Sequence, residues 1–206
     1  MYEKVFKRII DVLLSAIGII VLAIPMMIVA IIIKFDSPGK VFFKQERVGK
    51  NKKSFYILKF RTMYSDTPKN VPTHLLSNPE TYITKIGKIL RKTSIDELPQ
   101  IFCIFAGSMS IIGPRPALFN QTDLIEKRDQ CGANDIKPGL TGLAQIRGRD
   151  ELPIDEKARL DGEYVQKMSF WFDLKLFFGT IISVLKSDGI IEGGTGQITK
   201  QREEVI

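Results

Sequence analysis

The sequence predicts a mainly helical α+β protein with three parts: a re-entrant membrane helix over residues 1–36, a small domain on the membrane surface over 37–187, and a flexible tail over 188–206. Three observations support this prediction. They are an uncharged apolar run near the start, two β-rich runs that indicate a short hairpin, and two amphipathic helical patterns. A chain of 206 residues is long enough for one domain and a membrane anchor.

The apolar run extends from Val12 to Ile33 and contains no charged residue. A helix needs ~20 mostly apolar residues to cross a bilayer. Pro25 lies within the run and removes a backbone donor. Basic residues flank both ends, and such flanks stay on the cytoplasmic side, so a single span satisfies this rule at one end only. A helix that bends at Pro25 and leaves by the same face satisfies it at both. We therefore favour a re-entrant helix over the alternatives: a single span, a buried core helix or a signal peptide.

Charge and composition narrow the classes of function. The net charge is +7, and nine Lys and Arg stand against two acidic residues between positions 34 and 61. A basic block directly after an apolar segment is typical of a surface that faces anionic lipids, and membrane attachment argues against nucleic acid as a partner. With one His and two Cys in the chain, zinc sites and His-dependent triads are disfavoured. If the protein is an enzyme, carboxylates and cations must carry the chemistry.

The remaining elements follow in chain order. Two β-rich runs around Gly49-Lys50-Asn51-Lys52 predict a hairpin over 41–63. The proline after Asn78 predicts a basic amphipathic helix over 79–92, which lies either at the membrane surface or on the core. Further along, the pattern predicts a polar helix over 118–130, a short strand within 137–149, an exposed helix over 155–167, and an interfacial or core helix over 169–186.

An adjacent acidic pair, Asp96-Glu97, lies between a basic helix and an apolar segment. One interpretation is structural, because Ser94 with Glu97 three residues later matches a capping box. The other is chemical. At an irregular helix start, Asp96 and Glu97 could act as one nucleophile and one Mg²⁺ ligand, since aspartyl carboxylates form phosphoryl intermediates and Mg²⁺ needs few carboxylates.

Arg115 stands between two prolines, so its backbone is stiff and its guanidinium is positioned at little entropic cost. Arginine is well suited to bidentate phosphate recognition. The alternative is a rigid turn that leaves an arginine exposed. Further phosphate-binding candidates are the cations Lys59, Arg61, Arg91, Lys92, Arg147 and Arg149.

Four ordered motifs behind the apolar segment resemble the bacterial sugar transferases, the small monotopic phosphoglycosyl transferases. The motifs are KFRTM at 59–63, DELPQ at 96–100, SMSIIGPRP at 108–116 and KPGLTGLAQIRGR at 137–149. Within that family the sequence is most similar to the members that use UDP-diacetylbacillosamine in the first membrane step of glycan assembly for protein N-glycosylation. The resemblance covers the chain from about residue 1 to about residue 187.

The resemblance implies a reaction and a location. Family members move a sugar 1-phosphate from a UDP-sugar to polyprenyl (undecaprenyl) phosphate with Mg²⁺ and release UMP, at the cytoplasmic face of the bacterial inner membrane. By this resemblance Asp96 is the nucleophile that forms a covalent phosphosugar intermediate, and Glu97 beside it binds Mg²⁺. Arg115 contacts phosphate, and the membrane helix is broken at Pro25. Two other functions remain as hypotheses: a membrane glycosyltransferase that releases UDP, and a non-catalytic module that binds anionic lipids.

The sequence departs from the family pattern at three positions. Cys103 stands where Asn is usual, Ser108 stands where an acidic residue is usual, and Ile24 replaces the familiar polar residue before the proline. The first two departures concern the surroundings of the acidic pair rather than the pair itself. The third leaves the re-entrant prediction resting on Pro25 and on the charged flanks.

Overall fold

The computed structural model describes residues 2–67, 79–148 and 152–186. The first long helix, α1, spans Lys7–Asp36 and follows a π-helical turn, Tyr2–Phe6. A hairpin of β1 (Phe42–Val48) and β2 (Ser54–Phe60) comes next. The remaining elements are α2 (Lys85–Lys92), a 3-10 helix (Ile95–Gln100), α3 (Ile101–Ala106), β3 (Ser110–Ile112), α4 (Thr122–Gln130), β4 (Gly139–Thr141), α5 (Leu143–Arg147), α6 (Ile154–Lys167) and α7 (Phe170–Lys186). Short 3-10 turns cover Lys50–Lys52 and Pro79–Tyr82. The predicted tail over 188–206 lies outside the described residues.

The predicted membrane segment forms one long helix whose apolar side chains are mostly exposed. Within the described residues, Tyr2–Asp36 is the stretch with the length and apolar composition to cross a membrane, and only 11% of its most apolar window is buried. A core helix of a soluble domain would bury that surface, so the exposure argues against the core-helix alternative. Pro25 lies inside α1, and the assigned helix continues on both sides of it. The re-entrant path therefore stays a prediction.

Both ends of α1 are attached to the same domain. Near its start, Asp11 accepts hydrogen bonds from the Ser110 hydroxyl (3.1 Å) and the Ile111 backbone N–H (3.0 Å). In its second half, Met26 and Ile33 are buried in a cluster with Phe60 and Leu90. The helix thus contacts the domain along much of its length instead of leaving it at one end.

The predicted hairpin is confirmed. Strands β1 and β2 pair in antiparallel register, with Phe42 opposite Phe60 and Val48 opposite Ser54. Asn51 and Lys52 in the connecting turn have φ angles of 55° and 59°. Strand β2 then packs against the 3-10 helix that carries Asp96 and Glu97.

The strand predicted within 137–149 is also present, as β4 in a parallel pair with β3. The two strands approach so closely that a Cβ on Gly139 would lie 2.1 Å from the Gly113 backbone nitrogen. Glycine is therefore required where the β4 segment crosses the Gly113-Pro114-Arg115-Pro116 segment. The chain after β4 forms the short helix α5, which the sequence did not predict.

Two predicted helices differ from the structure in detail. The helix expected over 79–92 begins only at Lys85, because Thr84 caps it by accepting from the Gly87 N–H and Ile83 pairs with Met63 as a β-bridge. The helix expected over 155–167 is present as α6, but it is not simply exposed. Its inner face buries Leu160, Asp161 and Tyr164 in or beside the main core.

The helix predicted over 169–186 is present as α7. Leu176 packs in the core, whereas Trp171 is 75% exposed and Phe178 is 55% exposed. Exposed aromatic residues of this kind are typical of helices that lie at the headgroup boundary. The structure therefore favours an interfacial position for one face of α7.

Candidate active site

The acidic pair lies on the irregular 3-10 helix that connects α2 to α3. Ser94, directly before this helix, has a φ of 58° and makes no side-chain capping bond. Glu97 turns away from Ser94 towards cations, so the capping-box interpretation is wrong. Pro99 is tolerated within this short helix, where the missing N–H is not needed for a regular ladder.

Two cations bind the Glu97 carboxylate. Lys59 donates to Oε1 at 2.7 Å, and Arg115 donates to Oε1 at 2.7 Å and to Oε2 at 3.3 Å. Lys59 comes from the end of β2, and Arg115 comes from the proline-flanked loop after β3. The arrangement brings together three of the four sequence motifs at one carboxylate. Charge-assisted bonds of this kind hold side chains in fixed directions.

The second acid, Asp96, is buried, at 9% exposure. Among the described residues, no hydrogen bond or ion pair engages its carboxylate. Arg91 contributes positive charge nearby and is held by a hydrogen bond from its Nε to the Thr62 hydroxyl (2.9 Å). Asp96 is thus a carboxylate that is surrounded by cations and still available to react.

The two neighbouring acids titrate in opposite directions. Burial raises the pKa of Asp96 to about 6; Lys59 opposes this shift and the charge on Glu97 adds to it. Burial also acts to raise the pKa of Glu97, but the charges of Arg115 and Lys59 and their hydrogen bonds outweigh it and hold that pKa well below its usual range. Two carboxylates driven apart in this way are suited to two different tasks. Glu97 stays charged, and Asp96 is a basic carboxylate at neutral pH.

A buried ion pair fixes the loop that carries Arg115. Arg128 on α4 donates to Asp161 on α6 at 2.6 and 2.8 Å, and it also donates to the Arg115 backbone carbonyl at 3.0 Å. Both side chains of the pair are almost fully buried. Arg128 therefore positions Arg115 through its backbone. The sequence analysis did not single out Arg128 or Asp161, since neither lies in a recognisable motif.

Three predicted phosphate contacts, Arg61, Lys92 and Arg147, are not brought to the acidic pair by any described contact. A fourth, Arg149, lies outside the described residues. The Arg61 guanidinium is buried and donates to the backbone carbonyls of Ser37 (2.6 Å) and Pro38 (2.7 Å), where it ties the end of α1 to β2. Arg147 is exposed on α5 and contributes positive charge near Glu163. The structure thus brings Lys59, Arg91 and Arg115 to the site.

A small cavity adjoins Lys59 and Arg115, and Arg47 and Gln100 also line it. Gln100 is buried, at 3% exposure, and Arg47 donates to the Pro116 backbone carbonyl at 3.0 Å. Neither residue was among the predicted site residues. Gln100 could have been predicted as a site residue, because it is the last residue of the DELPQ motif. Arg47 does not lie in any of the four motifs, so no pattern in the sequence was a reason to select it.

The departures at Cys103 and Ser108 are adjacent in space. The Ser108 hydroxyl donates to the Cys103 carbonyl at 3.1 Å, and the Cys103 thiol lies 3.5 Å from the Tyr56 carbonyl. Ser108 thus binds the C-terminal end of α3, and Cys103 contacts the backbone of β2. In the described part of the chain, neither side chain makes a hydrogen bond to Asp96 or Glu97.

Asp96 and Glu97 could provide some, but not all, of the ligands of a Mg²⁺ ion. The described residues contain no group of three or more His, Cys, Asp or Glu side chains suited to a metal. Mg²⁺ is commonly bound through one or two carboxylates together with substrate phosphates and water. Asp96 and Glu97 satisfy that smaller requirement, so a metal here would depend on the substrate to complete its ligands.

The fold and the site define a membrane-associated protein with a buried carboxylate pair faced by cations. Comparisons with known proteins agree with this class. The bacterial sugar transferase family matches residues 2–187. The relative named Uncharacterized sugar transferase EpsL, from Bacillus subtilis (strain 168), is 41% identical over 170 residues, which cover 82% of this chain and 80% of the relative. The chain belongs to the bacterial sugar transferase family and is an enzyme.

Two further relatives carry names that state a reaction. UDP-glucose:undecaprenyl-phosphate glucose-1-phosphate transferase of Xanthomonas campestris pv. campestris is 36% identical over 191 residues, covering 89% of this chain and 40% of the relative. Undecaprenyl-phosphate glucose phosphotransferase of Komagataeibacter xylinus is 38% identical over 191 residues, covering 87% of this chain and 36% of the relative. The chain therefore spans less than half the length of these two longer proteins.

Proposed function

We propose that this enzyme transfers a sugar 1-phosphate from a UDP-sugar to undecaprenyl phosphate, with release of UMP, at the cytoplasmic face of the bacterial inner membrane. One observation carries the proposal: the unpaired carboxylate of Asp96 stands beside Glu97, which is held by Lys59 and Arg115. The names of the two relatives that state a reaction support the class of donor and acceptor.

In the first step, an Asp96 carboxylate oxygen attacks the β-phosphorus of the UDP-sugar. The bond from that phosphorus to the oxygen bridging the two phosphates breaks, and UMP leaves with the bonding electron pair. The sugar phosphate is then attached to Asp96 as an acyl phosphate. A carboxylate with a pKa raised to about 6 is a better nucleophile than an ordinary one and remains ionised at neutral pH.

Negative charge builds up when a carboxylate attacks a diphosphate, so fixed cations must stabilise the transition state. Lys59 and Arg115 are already oriented by Glu97, and Arg91 is oriented by Thr62. Mg²⁺ bound by Asp96, Glu97 and the substrate phosphates would add Lewis-acid neutralisation of the diphosphate. The three cations hold the phosphates near Asp96 and reduce the cost of reorganisation during the reaction.

In the second step, a phosphate oxygen of undecaprenyl phosphate attacks the phosphorus of the aspartyl intermediate. The bond from that phosphorus to Asp96 breaks, and the carboxylate is regenerated. The product is a lipid-linked diphosphate sugar. Because donor and acceptor both react at the same phosphorus, a single nucleophile with a single set of cations can serve both steps.

Release of UMP distinguishes this mechanism from a glycosyltransferase that releases UDP. We expect purified enzyme with UDP-sugar, Mg²⁺ and undecaprenyl phosphate to form UMP and lipid product in equal amounts, measured by chromatography. Without acceptor, UMP release should stop at about one per active enzyme molecule, since Asp96 stays modified. UDP as the product, or continued release without acceptor, would contradict the proposal.

The identity of the sugar is the finer part of the proposal. The resemblance of the motifs suggests UDP-diacetylbacillosamine and a role in the first membrane step of protein N-glycosylation, whereas the relatives named above suggest UDP-glucose. The same UMP assay, run with these two donors and UDP-galactose at equal concentration, ranks them by kcat/KM.

We also propose that α1 is re-entrant, so that both of its ends lie on the cytoplasmic side. The support is that Asp11 near one end and Ile33 near the other both contact one domain. Pro25 removes a hydrogen bond of the helix between them, and prolines are a common cause of sharp kinks. A re-entrant path would keep Asp96 at the depth where the acceptor phosphate lies.

Labelling with a membrane-impermeant maleimide tests this path. Lys4→Cys and Lys53→Cys, each in a chain with Cys103 and Cys131 replaced by Ser, should both react in inverted vesicles and both be protected in spheroplasts. Both side chains are exposed in the structure. Reaction of the first variant alone in spheroplasts would show that α1 is a plain span.

A further inference from the structure

A second cavity, of about 290 Å³, opens beside the start of α1. It shares no lining residue with the small cavity at Lys59 and Arg115. Its walls come from the N-terminal turn, the hairpin turn and the segment that precedes β4. The cations that line it are Lys4, Lys7, Arg8, Lys50 and Lys137, and the acids are Glu3 and Asp11.

The cations of this cavity differ in whether an acidic partner neutralises their charge. Lys7 pairs with Asp173 at 2.5 Å and Lys50 pairs with Glu3 at 2.9 Å. Arg8 instead donates to the Ile104 and Phe105 carbonyls at the end of α3, at 2.7 and 2.8 Å. Carbonyls carry only partial charge, so the guanidinium charge of Arg8 is not neutralised.

Lys137 and Lys4 add to this excess, and the Asp11 carboxylate, which accepts from neutral donors, reduces it by one charge. Within the described residues, neither ammonium group has a hydrogen bond or an ion pair. Burial and the nearby charge of Arg8 lower the pKa of Lys137, and Lys50 adds to the effect. Like charges gathered at one cavity repel one another, and a bound anion would relieve that repulsion.

The cavity is at the level expected for lipid headgroups. Phe6, directly before α1, is 51% exposed. Met168, which lines the cavity, lies two residues before α7, which carries the exposed Trp171. Aromatic side chains exposed beside an apolar helix are typical of the membrane boundary. The volume of about 290 Å³ lies at the small end of the range for ligand pockets and is adequate for a phosphodiester headgroup.

We propose that this cavity binds the phosphate of an anionic phospholipid headgroup, and that Lys4, Arg8 and Lys137 provide the charge that recognises it. The site is separate from the acidic pair. Its role is to hold the start of α1 at the plane of the phosphates, so it serves orientation in the membrane and takes no part in transfer.

Binding of short-chain lipids to the full-length protein in detergent tests the site directly. We expect dihexanoyl phosphatidylglycerol to bind, and the variant Lys4→Gln/Lys137→Gln to bind it at least about fivefold more weakly, since each surface cation is worth ~1 kcal/mol towards anionic lipid. Affinity is measured by titration, and no donor or acceptor substrate is present.

The controls separate this proposal from other sources of the same chemistry. Lys175→Gln removes an exposed lysine of α7 that does not line the cavity and should bind like wild type, as should Lys137→Arg. Unchanged affinity in the double variant would overturn the proposal. Equal binding of dihexanoyl phosphatidylcholine or of inorganic phosphate would replace it with an unspecific or free-anion site. Tighter binding of farnesyl phosphate would assign the cavity to the acceptor instead.

Discussion

Asp96→Asn should lower sugar-phosphate transfer by at least about 10⁴-fold, because the amide cannot form the acyl phosphate and loss of a nucleophile has effects of this size. The measurement is UMP release, with and without acceptor. Asn has almost the same shape as Asp, so the surrounding cations should keep their positions. Wild-type turnover in this variant would remove Asp96 from the role of nucleophile.

The pH dependence of the wild-type enzyme provides a check on the same residue. Only the ionised carboxylate attacks, so kcat/KM should rise with pH and level off above an apparent pKa of about 6. A profile that continues to fall as pH increases through this range would contradict the assignment.

Stability provides the control that Asp96→Asn is folded. The pKa of Asp96 is raised from 3.8 to about 6 in the folded protein, so the folded state loses stability relative to the unfolded chain as pH rises through this interval. Asn carries no such penalty. At pH 8 the variant should therefore be as stable as wild type or more stable, by up to about 3 kcal/mol. Thermal unfolding in detergent measures the difference.

Asp161→Asn should destabilise the protein by roughly 3–5 kcal/mol, because it leaves the buried Arg128 charge without its partner. This loss is a large fraction of the stability of an ordinary domain. The folded fraction should also lose kcat/KM, since Arg128 holds the Arg115 backbone. Thermal or denaturant unfolding, followed by circular dichroism of the helices, reports the stability.

The chain contains a matched control for this variant. Asp155, also on α6, pairs with Lys127, also on α4, but its side chain is 80% exposed. Exposed pairs contribute about 0–1 kcal/mol, so Asp155→Asn should change stability and activity little. Equal effects in the two variants would show that burial of the Arg128–Asp161 pair has no special importance.

The parts of the fold that follow local patterns could be predicted from sequence. The hairpin follows two β-rich runs around a turn, the apolar helix follows a continuous apolar run, and α7 follows a helical period. Each is present close to its predicted bounds. The helix expected from position 79 begins later because Thr84 caps it and Ile83 is taken by a β-bridge, and such tertiary pairing leaves no local signal. Helix α5 was missed because glycines before and after it indicate a turn.

Residues of the candidate site could be predicted from sequence where they lie in a motif and carry a charge suited to phosphate chemistry. Lys59, Glu97 and Arg115 each lie in a recognisable motif and were named from sequence, but the ion pairs that join them were not predicted. Arg61 has the same composition signal and lies two positions after Lys59, yet its guanidinium is used by backbone carbonyls. The difference lies in the tertiary partners of the two side chains, which are Glu97 for Lys59 and the carbonyls at the end of α1 for Arg61, and residue type does not encode such partners. The Arg128–Asp161 pair joins positions far apart in the chain, so its partners could not be matched from sequence.

The bonds of Arg61 have a mechanical consequence. They join the end of α1 to a residue only two positions after Lys59, so a rigid path connects this helix to the ammonium group that binds Glu97. In the proposed membrane position of α1, the height of the Asp96 and Glu97 carboxylates above the bilayer is therefore set by this helix and not by a flexible tether. A substrate whose phosphate is confined to a plane can meet its enzyme by lateral diffusion alone, with no search in the third dimension.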